Sequence, residues 1–340
     1  MSKKTSIEAV VPANLSSEQE NLAKIKTVAS QFRSYINQQY QDNVSYVPDA
    51  EKVLTVTVSK WIKMGDWFEE AVKLPGLPLG NITHIYGKPD TGKTTFLMQA
   101  IAACQSQGVL PILILTEHKF DFNRLAKYMS ADPEAMLVFH ADTIEQAYGF
   151  MEKILRELST GKITYEFVDP DTGEEKQVTI DMTNQDCFLF YDSIGNTMSE
   201  SEMEYEVKDW DKSMGKAAKA LKSLTKRINY LLGKLRDRCG ILLLNQSYQS
   251  MPQMGPSVET PYGGDGVPYS CALNIRFRRR GDLKATVKGQ DQVIGLETTV
   301  QVMKSHFSHV KPISTVYTVA TGMMSPDKGL LEAYKKLHVR

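Results

Sequence analysis

The sequence has few cysteines and no long apolar run. Its four cysteines are scattered and form no C-x-x-C pair; they are Cys104, Cys187, Cys239 and Cys271. The fold should therefore not depend on disulfides. No stretch is apolar over the length that crosses a bilayer, and no secretory segment is evident. We expect a cytoplasmic protein that has no membrane partner.

An excess of charge of one sign is also lacking, because 40 Lys and Arg residues balance 40 Asp and Glu residues. A polyanionic partner would therefore be held by local patches rather than by the field of the whole protein. This balance argues mildly against nucleic-acid binding without excluding it. The chain has 340 residues, of which 42% are hydrophobic, enough for one large domain or two ordinary ones.

What the sequence does contain is a phosphate-binding loop of the pattern G-x-x-x-x-G-K-[ST] between a buried strand and a helix. Its residues are Gly87, Lys88, Pro89, Asp90, Thr91, Gly92, Lys93, Thr94 and Thr95. Backbone N–H groups of such a loop and the following helix N-terminus bind phosphate. Lys93 would reach the β- and γ-phosphates, and Thr94 would ligate Mg²⁺. The loop predicts binding of a nucleoside triphosphate.

Strand and helix patterns alternate after this loop, which predicts an α/β fold with a mainly parallel central sheet. Strands are expected at 82–86, 112–116, 137–139, 187–191 and 240–245, and helices at 94–104, 121–129, 143–158 and 211–238. Alternating apolar residues on both sides of an Asp-Pro-Asp-Thr-Gly turn predict an inserted β-hairpin at about 160–183. No internal repeat is apparent.

The region before the core carries its own elements. A capping-box spacing at 17–20 and a helical apolar stripe predict a helix from Ser17, and β-branched residues at 53–58 predict a strand. The helix must pack on its own core or on a neighbouring subunit. We divide the chain into an N-terminal element at 1–60, a nucleotide-binding core at 61–322 and a short tail at 323–340.

Three polar side chains follow buried strands. Asp192 ends the strand at 187–191, where an acid meets the Mg²⁺ shell in phosphate-loop proteins. Glu117 ends another strand and could deprotonate an attacking water, although a loop or helix-capping acid fits its spacing equally well. Gln246 could donate to a γ-phosphate and lose that bond upon hydrolysis, which makes it a candidate switch.

Together these residues resemble the RecA recombinases in order and spacing, across roughly residues 53 to 320. The matching segments are 76–82, 87–95, Thr116-Glu117-His118, Asp192-Ser193, Asn245-Gln246 and Gly263-Gly264. The segment at 190–196 and the abbreviated C-terminus are most similar to phage recombinases of the UvsX type.

The resemblance implies ATP and Mg²⁺ as ligands, Glu117 as the catalytic base and Gln246 as the γ-phosphate sensor. It implies that Asp121 and Arg124 hold the adenine. Lys304 matches a family lysine that reaches the ATP of the next subunit, and His306 stands where a second cation is expected. The N-terminal element would then pack on the adjacent protomer and build a helical filament with ATP between subunits.

The two family DNA loops correspond to about 195–213 and 247–268. The first is acidic, with Lys208 and Lys212 opposing four glutamates, and the second has no Lys or Arg. Candidate DNA contacts are Tyr248, Gln249, Tyr262, Gly263 and Gly264 of the second loop, and a helix stripe that contains Lys212, Lys216, Lys219, Lys222 and Lys226. An ordinary solvated helix face would give the same stripe.

The resemblance predicts an ATPase that polymerises on single-stranded DNA and pairs it with double-stranded DNA for strand exchange. Single-strand-binding and mediator proteins are possible partners. A ring-forming replicative helicase of the same superfamily is one alternative. A recombination mediator that binds ATP without exchanging strands is another, and the acidic first loop keeps it open.

Overall fold

The structure is a computed structural model, and it describes residues 60–117, 119–168, 175–203, 216–235, 237–250, 258–287 and 290–339. Some predictions fall outside these residues. They are the helix from Ser17, the strand at 53–58, the turn of the inserted hairpin, Lys208 and Lys212.

Between residues 82 and 250 strands and helices largely alternate, as the sequence pattern predicts, whereas the strands between 258 and 324 are not among the predictions. The helices are α1 Asp66–Val72, α2 Lys93–Ser106, α3 Phe122–Met129, α4 Ile144–Thr160, α5 Glu200–Met203, α6 Lys216–Leu235, α7 Gly266–Ser270 and α8 Lys328–His338. The first strands are β1 Trp61–Lys63, β2 Gly76–Pro78, β3 Ile82–Gly87, β4 Leu110–Leu115, β5 Leu137–His140, β6 Lys162–Val168 and β7 Glu175–Asp181. The others are β8 Cys187–Asp192, β9 Cys239–Ser250, β10 Val258–Pro261, β11 Leu273–Val287, β12 Gln290–Ser305, β13 Ile313–Val319 and β14 Gly322–Met324.

A ten-stranded sheet organises the fold. Its strands β5, β4, β8, β9, β3 and β11 are neighbours in that order and run parallel. Strands β12, β13 and β14 extend the sheet in antiparallel fashion beyond β11. The predicted α/β fold with a large, mostly parallel sheet is therefore confirmed.

Both faces of the central strands are covered, which explains why β4 and β8 are apolar at nearly every position. In β8, Phe188 and Phe190 belong to the apolar cluster that contains Phe96 of α2. Leu189 and Tyr191 point to the opposite face, where they join the cluster that contains residues of α4 and α6. The two-residue period of the strand thus divides its side chains between two cores.

The inserted hairpin is confirmed by the structure. Strand β6 pairs antiparallel with β7 in a separate two-stranded sheet, and Lys162 lies opposite Asp181. Strand β1 likewise pairs with β2 outside the main sheet.

The helix predicted at 211–238 corresponds to α6, which spans Lys216–Leu235. Residues 204–215 lie outside the described part of the chain.

The second predicted DNA loop, at about 247–268, begins and ends in regular structure. Strand β9 continues past Gln246 to Ser250 and pairs antiparallel with β10, where Tyr248 lies opposite Thr260. Helix α7 follows within the same segment. The backbone hydrogen bonds of this hairpin stem satisfy groups that an open loop would leave to water. Residues 251–257, between the two strands, are not described.

The C-terminal segment packs on the core. Strand β14 pairs with β13, so the expected core boundary at residue 322 falls within a strand. Tyr334 of α8 packs in an apolar cluster with Leu283 and Val319. None of the helices in the described ranges combines the length and apolarity that crossing a bilayer requires.

Candidate nucleotide site

A cavity of about 680 Å³ lies at the edge of the sheet where β3, β4 and β8 end. This volume falls within the range of ligand pockets. Parallel pairing aligns the ends of these strands: Gly87 lies beside Gln246, and Leu115 lies beside Asp192. The cavity is lined in part by residues 89–95, Glu117, Arg124, Asp192, Asn196 and Gln246. Most of the predicted nucleotide residues thus meet here, whereas Gly87 and Lys88 are not part of the lining.

The phosphate loop curls back before α2. Gly92 has φ of 90° and Asp90 has φ of 56°, both in the left-handed region. A glycine reaches that region without the steric cost that a β-carbon brings. The Thr91 hydroxyl donates to the carbonyl of Lys88 at 3.0 Å. Helix α2 begins directly after Gly92, so its free N–H groups can bind an anion at the cavity.

Lys93 folds onto its own loop in this structure. Its Nζ donates to the carbonyl oxygens of Gly87 at 2.8 Å and Lys88 at 2.7 Å. Burial lowers the pKa of Lys93 to about 8, and the carboxylates of Asp192, Asp90 and Glu117 oppose that shift. Phosphate oxygens could replace the two carbonyl acceptors with stronger, charge-assisted ones.

Two carboxylates face the loop. Burial and the nearby Glu117 raise the pKa of Asp192 to about 6, and Lys93 acts in the opposite direction. The Thr116 hydroxyl oxygen accepts from the backbone N–H of Ser193 at 3.1 Å, which ties the ends of β4 and β8 together. Glu117, directly after Thr116, lines the cavity with Asp192.

The donor set fits Mg²⁺ that arrives with a nucleotide. Among the described residues, no group of three or more His, Cys, Asp or Glu side chains could hold a metal ion. Mg²⁺ is commonly bound through one or two protein oxygens together with substrate phosphates. The Thr94 hydroxyl and the Asp192 carboxylate, which both line the cavity, match that mode.

Gln246 reaches the cavity from β9, which continues beyond it to Ser250. Its Nε2 donates to Oδ1 of Asn196 at 2.6 Å. Asn196 ends a short 3-10 turn, Ile194–Asn196, directly after Asp192 and Ser193. Sequence reasoning missed Asn196, although it closes the segment at 190–196 that carries the UvsX resemblance.

The predicted adenine residues have structural partners. The Asp121 side chain caps α3 by accepting from the backbone N–H of Arg124 at 2.9 Å. Nη2 of Arg124 donates to Oγ1 of Thr95 at 2.9 Å. Arg124 lines the cavity, whereas Asp121 does not.

The far wall of the cavity comes from β12, β13 and their connections, with Gly295, Thr318 and Val319 among its residues. No local motif marks these positions. They reach the site only because the antiparallel strands extend the sheet past the phosphate loop. A hydrogen bond joins the two parts, since the carbonyl of Thr91 in the loop accepts from the Thr298 hydroxyl of β12 at 3.2 Å.

Lys304 and His306 lie elsewhere, in a second cavity of about 660 Å³. Nζ of Lys304 donates to the carbonyl of Tyr269 at 2.7 Å and lies 5.6 Å from the centre of its ring. Burial lowers the pKa of Lys304. Burial also lowers the pKa of His306, and the Lys304 charge adds to that effect. Neither side chain lines the cavity of its own phosphate loop.

The described DNA candidates occupy two neighbouring elements. Lys219 and Lys222 are exposed on α6, and Lys216 is half-buried at its start. Tyr248 is 48% exposed at the stem of the second loop. Tyr262 is half-buried, and its carbonyl accepts from Nδ2 of Asn245 at 2.9 Å. Tyr248 therefore offers a freer ring for stacking than Tyr262.

Gly263 and Gly264, the other candidates there, follow Tyr262 with positive φ values of 80° and 68°. Gln249 is exposed beside Tyr248.

Known proteins resemble this chain over a region that includes the phosphate loop and Glu117. A profile of the RecA N-terminal domain matches residues 50–169. The protein RecA of Psychrobacter cryohalolentis is 28% identical over 282 residues, which cover 83% of this chain and 70% of that protein. The protein RecA of Acinetobacter baumannii is 28% identical over 235 residues, which cover 69% of this chain and 57% of that protein. The chain is thus similar to RecA proteins over much of its length.

Proposed function

We propose that this chain is a RecA-type, DNA-dependent ATPase that forms filaments on single-stranded DNA and exchanges strands with a homologous duplex. The observation that carries the proposal is the meeting of Lys93, Glu117, Asp192 and Gln246 in one cavity at the end of the sheet. A mediator that only binds ATP would not need a carboxylate placed as Glu117 is. From the similarity to RecA proteins we infer that the partner is DNA.

In the proposed reaction each residue has a distinct task. The loop N–H groups and Lys93 bind the phosphates of ATP, and Thr94 and Asp192 hold Mg²⁺, which neutralises phosphate charge when bound. Glu117 orients and deprotonates a water for attack on the γ-phosphorus. Gln246 donates to the γ-phosphate and loses this partner after hydrolysis.

The finer parts of the proposal rest on the resemblance. Lys304 and His306 would face the ATP of an adjacent subunit, and the segment at 1–60 would pack on that subunit. Arg124 and Asp121 would hold the adenine. The segment at 190–196 and family analogy also support a UvsX-type recombinase of phage origin that acts in a host cytoplasm. The same grounds support single-strand-binding or mediator proteins as partners.

Electron microscopy with single-stranded DNA, Mg²⁺ and ATPγS tests this function. We expect helical filaments that are lost when Lys93→Ala removes the phosphate contact. Closed rings in place of filaments would identify a hexameric helicase motor. Nucleotide binding without any ordered assembly would identify a mediator.

The described lysines of α6 allow a test of how DNA is held. If Lys216, Lys219 and Lys222 contact phosphates, changing all three to Ala should reduce the log–log salt slope of single-stranded DNA affinity by about two units, since each contact contributes about 0.7. Fluorescence anisotropy with a labelled oligonucleotide over a salt series measures this slope. Folding should survive because these residues lie opposite the apolar face that contains Leu221 and Ile228.

A matched variant controls for the loss of three charges. Lys328, Lys335 and Lys336 lie on α8, and their change to Ala removes the same charge from another helix. We expect that variant to keep the wild-type slope. An unchanged slope in the α6 variant would assign its lysines to an ordinary solvated face. DNA binding through the second loop would then predict an affinity loss of about 1–3 kcal/mol for Tyr248→Ala.

A further inference from the structure

We propose that Asn196 is a positioning residue, which orients the amide of Gln246 so that an N–H group faces the γ-phosphate. The inference rests on the proposed function, because it presumes that ATP binds in this cavity. Its starting point is the 2.6 Å hydrogen bond from Nε2 of Gln246 to Oδ1 of Asn196. Both residues line the cavity of the phosphate loop.

An amide side chain has a donor end and an acceptor end, and only the donor end can bind a phosphate. The Nε2 group carries two hydrogens. Asn196 accepts one of them and leaves the other for a second acceptor. With Gln246 held in this way, a phosphate in the cavity meets a donor rather than the carbonyl oxygen of the amide, which would repel it.

The backbone around Asn196 keeps this acceptor close to β9. A β-carbon on Gly195 would lie 2.7 Å from Cβ of Gln246 and 3.0 Å from its backbone nitrogen. Such distances are too short for a real contact, so the absence of a side chain at residue 195 allows the turn to pack directly on the strand. The backbone of Gly195 therefore packs directly against Gln246.

The turn is also fixed from its other side. The hydroxyl of Tyr191 donates to Oγ1 of Thr197 at 2.9 Å, and this threonine donates to the carbonyl of Ser193 at 2.8 Å. Tyr191 and Thr197 are buried. Asn196 is exposed, but its backbone lies between anchored neighbours, so the position from which its side chain reaches Gln246 is preorganised.

Preorganisation predicts a specific change in nucleotide discrimination. In Asn196→Ala, the Gln246 side chain is no longer held and must be ordered when the nucleotide binds. The loss of side-chain entropy lowers affinity only for ligands that have a γ-phosphate, because only these contact Gln246. We expect affinity for ATPγS to fall about three- to tenfold, in keeping with the loss of one hydrogen bond, while affinity for ADP stays unchanged. Calorimetric titration of the full chain with each nucleotide and Mg²⁺ measures both affinities.

A double-mutant cycle separates positioning from a general structural effect. If Asn196 acts through Gln246, adding Asn196→Ala to Gln246→Ala should leave the ratio of ATPγS to ADP affinity unchanged. Asn123→Ala, an exposed residue on α3 outside the cavity lining, is the matched control and should behave as wild type. Thermal unfolding checks that the variants are folded.

The outcomes are distinguishable. A wild-type protein without affinity for ATPγS would overturn the proposed function and this inference with it. Wild-type binding together with an unchanged ratio in Asn196→Ala would overturn the inference alone. A rise in ATPγS affinity would also overturn it, because Asn196 would then compete with the γ-phosphate for Gln246. A further fall in the ratio on the Gln246→Ala background would show that Asn196 acts independently of Gln246.

Discussion

Glu117→Gln should lower ATP turnover about a hundredfold or more while ATP still binds, because the amide keeps the size of the side chain but cannot accept the proton of water. Glu117 lines the cavity with Lys93 and Asp192. The acid contributes negative charge beside Lys93 as well, so the variant should bind ATPγS at least as tightly as the wild type. Steady-state phosphate release with single-stranded DNA and calorimetric ATPγS titration measure the two effects.

Glu134→Gln serves as the matched control, because this exposed acid lies in the short turn Pro133–Ala135, outside the cavity lining. It should hydrolyse ATP at the wild-type rate. Filaments of the Glu117 variant should persist after ATP is added, whereas those of the control should turn over. Hydrolysis by Glu117→Gln at the parental rate would show that Glu117 is not the base.

His84→Gln should remove a pH-dependent loss of stability from the wild-type protein. His84 is fully buried in β3, with Nδ1 3.1 Å from Oδ1 of Asn274 and Nε2 3.2 Å from Nδ2 of Asn245. The neutral ring satisfies both partners, since Nδ1–H donates to the first and Nε2 accepts from the second. Protonation would place a new N–H against the amide hydrogens of Asn245.

Burial lowers the pKa of His84 to about 4 in the folded protein. In the unfolded chain its pKa is about 6.5, so between these values the unfolded state binds more protons. The His84 contribution to the free energy of unfolding is therefore complete above about pH 6.5 and falls by about 1.4 kcal/mol per pH unit as the pH drops toward 4. The expected loss is about 2 kcal/mol between pH 6.5 and 5.

Urea unfolding of both proteins at several pH values between 5 and 7.5 measures this difference. Glutamine at residue 84 can donate to Asn274 and accept from Asn245 without titrating, so the free energy of unfolding of the variant should depend less on pH. Other groups titrate in both proteins, and the difference between the two curves isolates His84. Parallel curves would contradict the prediction.

The phosphate loop and the polar strand ends could be predicted from the sequence because their causes are local. A fixed spacing of Gly92, Lys93 and Thr94 determines which backbone amides and side chains can surround a phosphate. Parallel strands end at one edge of a sheet, so Glu117, Asp192 and Gln246 could be expected to meet. The structure brings them to one cavity.

The regular structure within 247–268 could not be predicted from the sequence, because it depends on strand pairing. Prolines and glycines in 247–268 indicate an open loop, yet Tyr248 and Gln249 pair with Thr260 and Glu259 in a hairpin stem. Asn245, buried in β9, holds the carbonyl of Tyr262 at the base of this stem. Propensity at single positions does not contain these cross-strand hydrogen bonds.

Residue types and their spacing account for the chemistry available to this protein: a loop that fits phosphate, two acids and an amide after buried strands. The partners of these groups are set by the tertiary structure. It paired Gln246 with Asn196 across 50 positions of sequence. It placed Thr318 and Val319 on the wall of the nucleotide cavity. Lys304 lies in a second cavity, which the phosphate loop of the same chain does not line. Local chemistry follows from residue type and spacing, whereas contacts between distant segments are set by sheet register and packing.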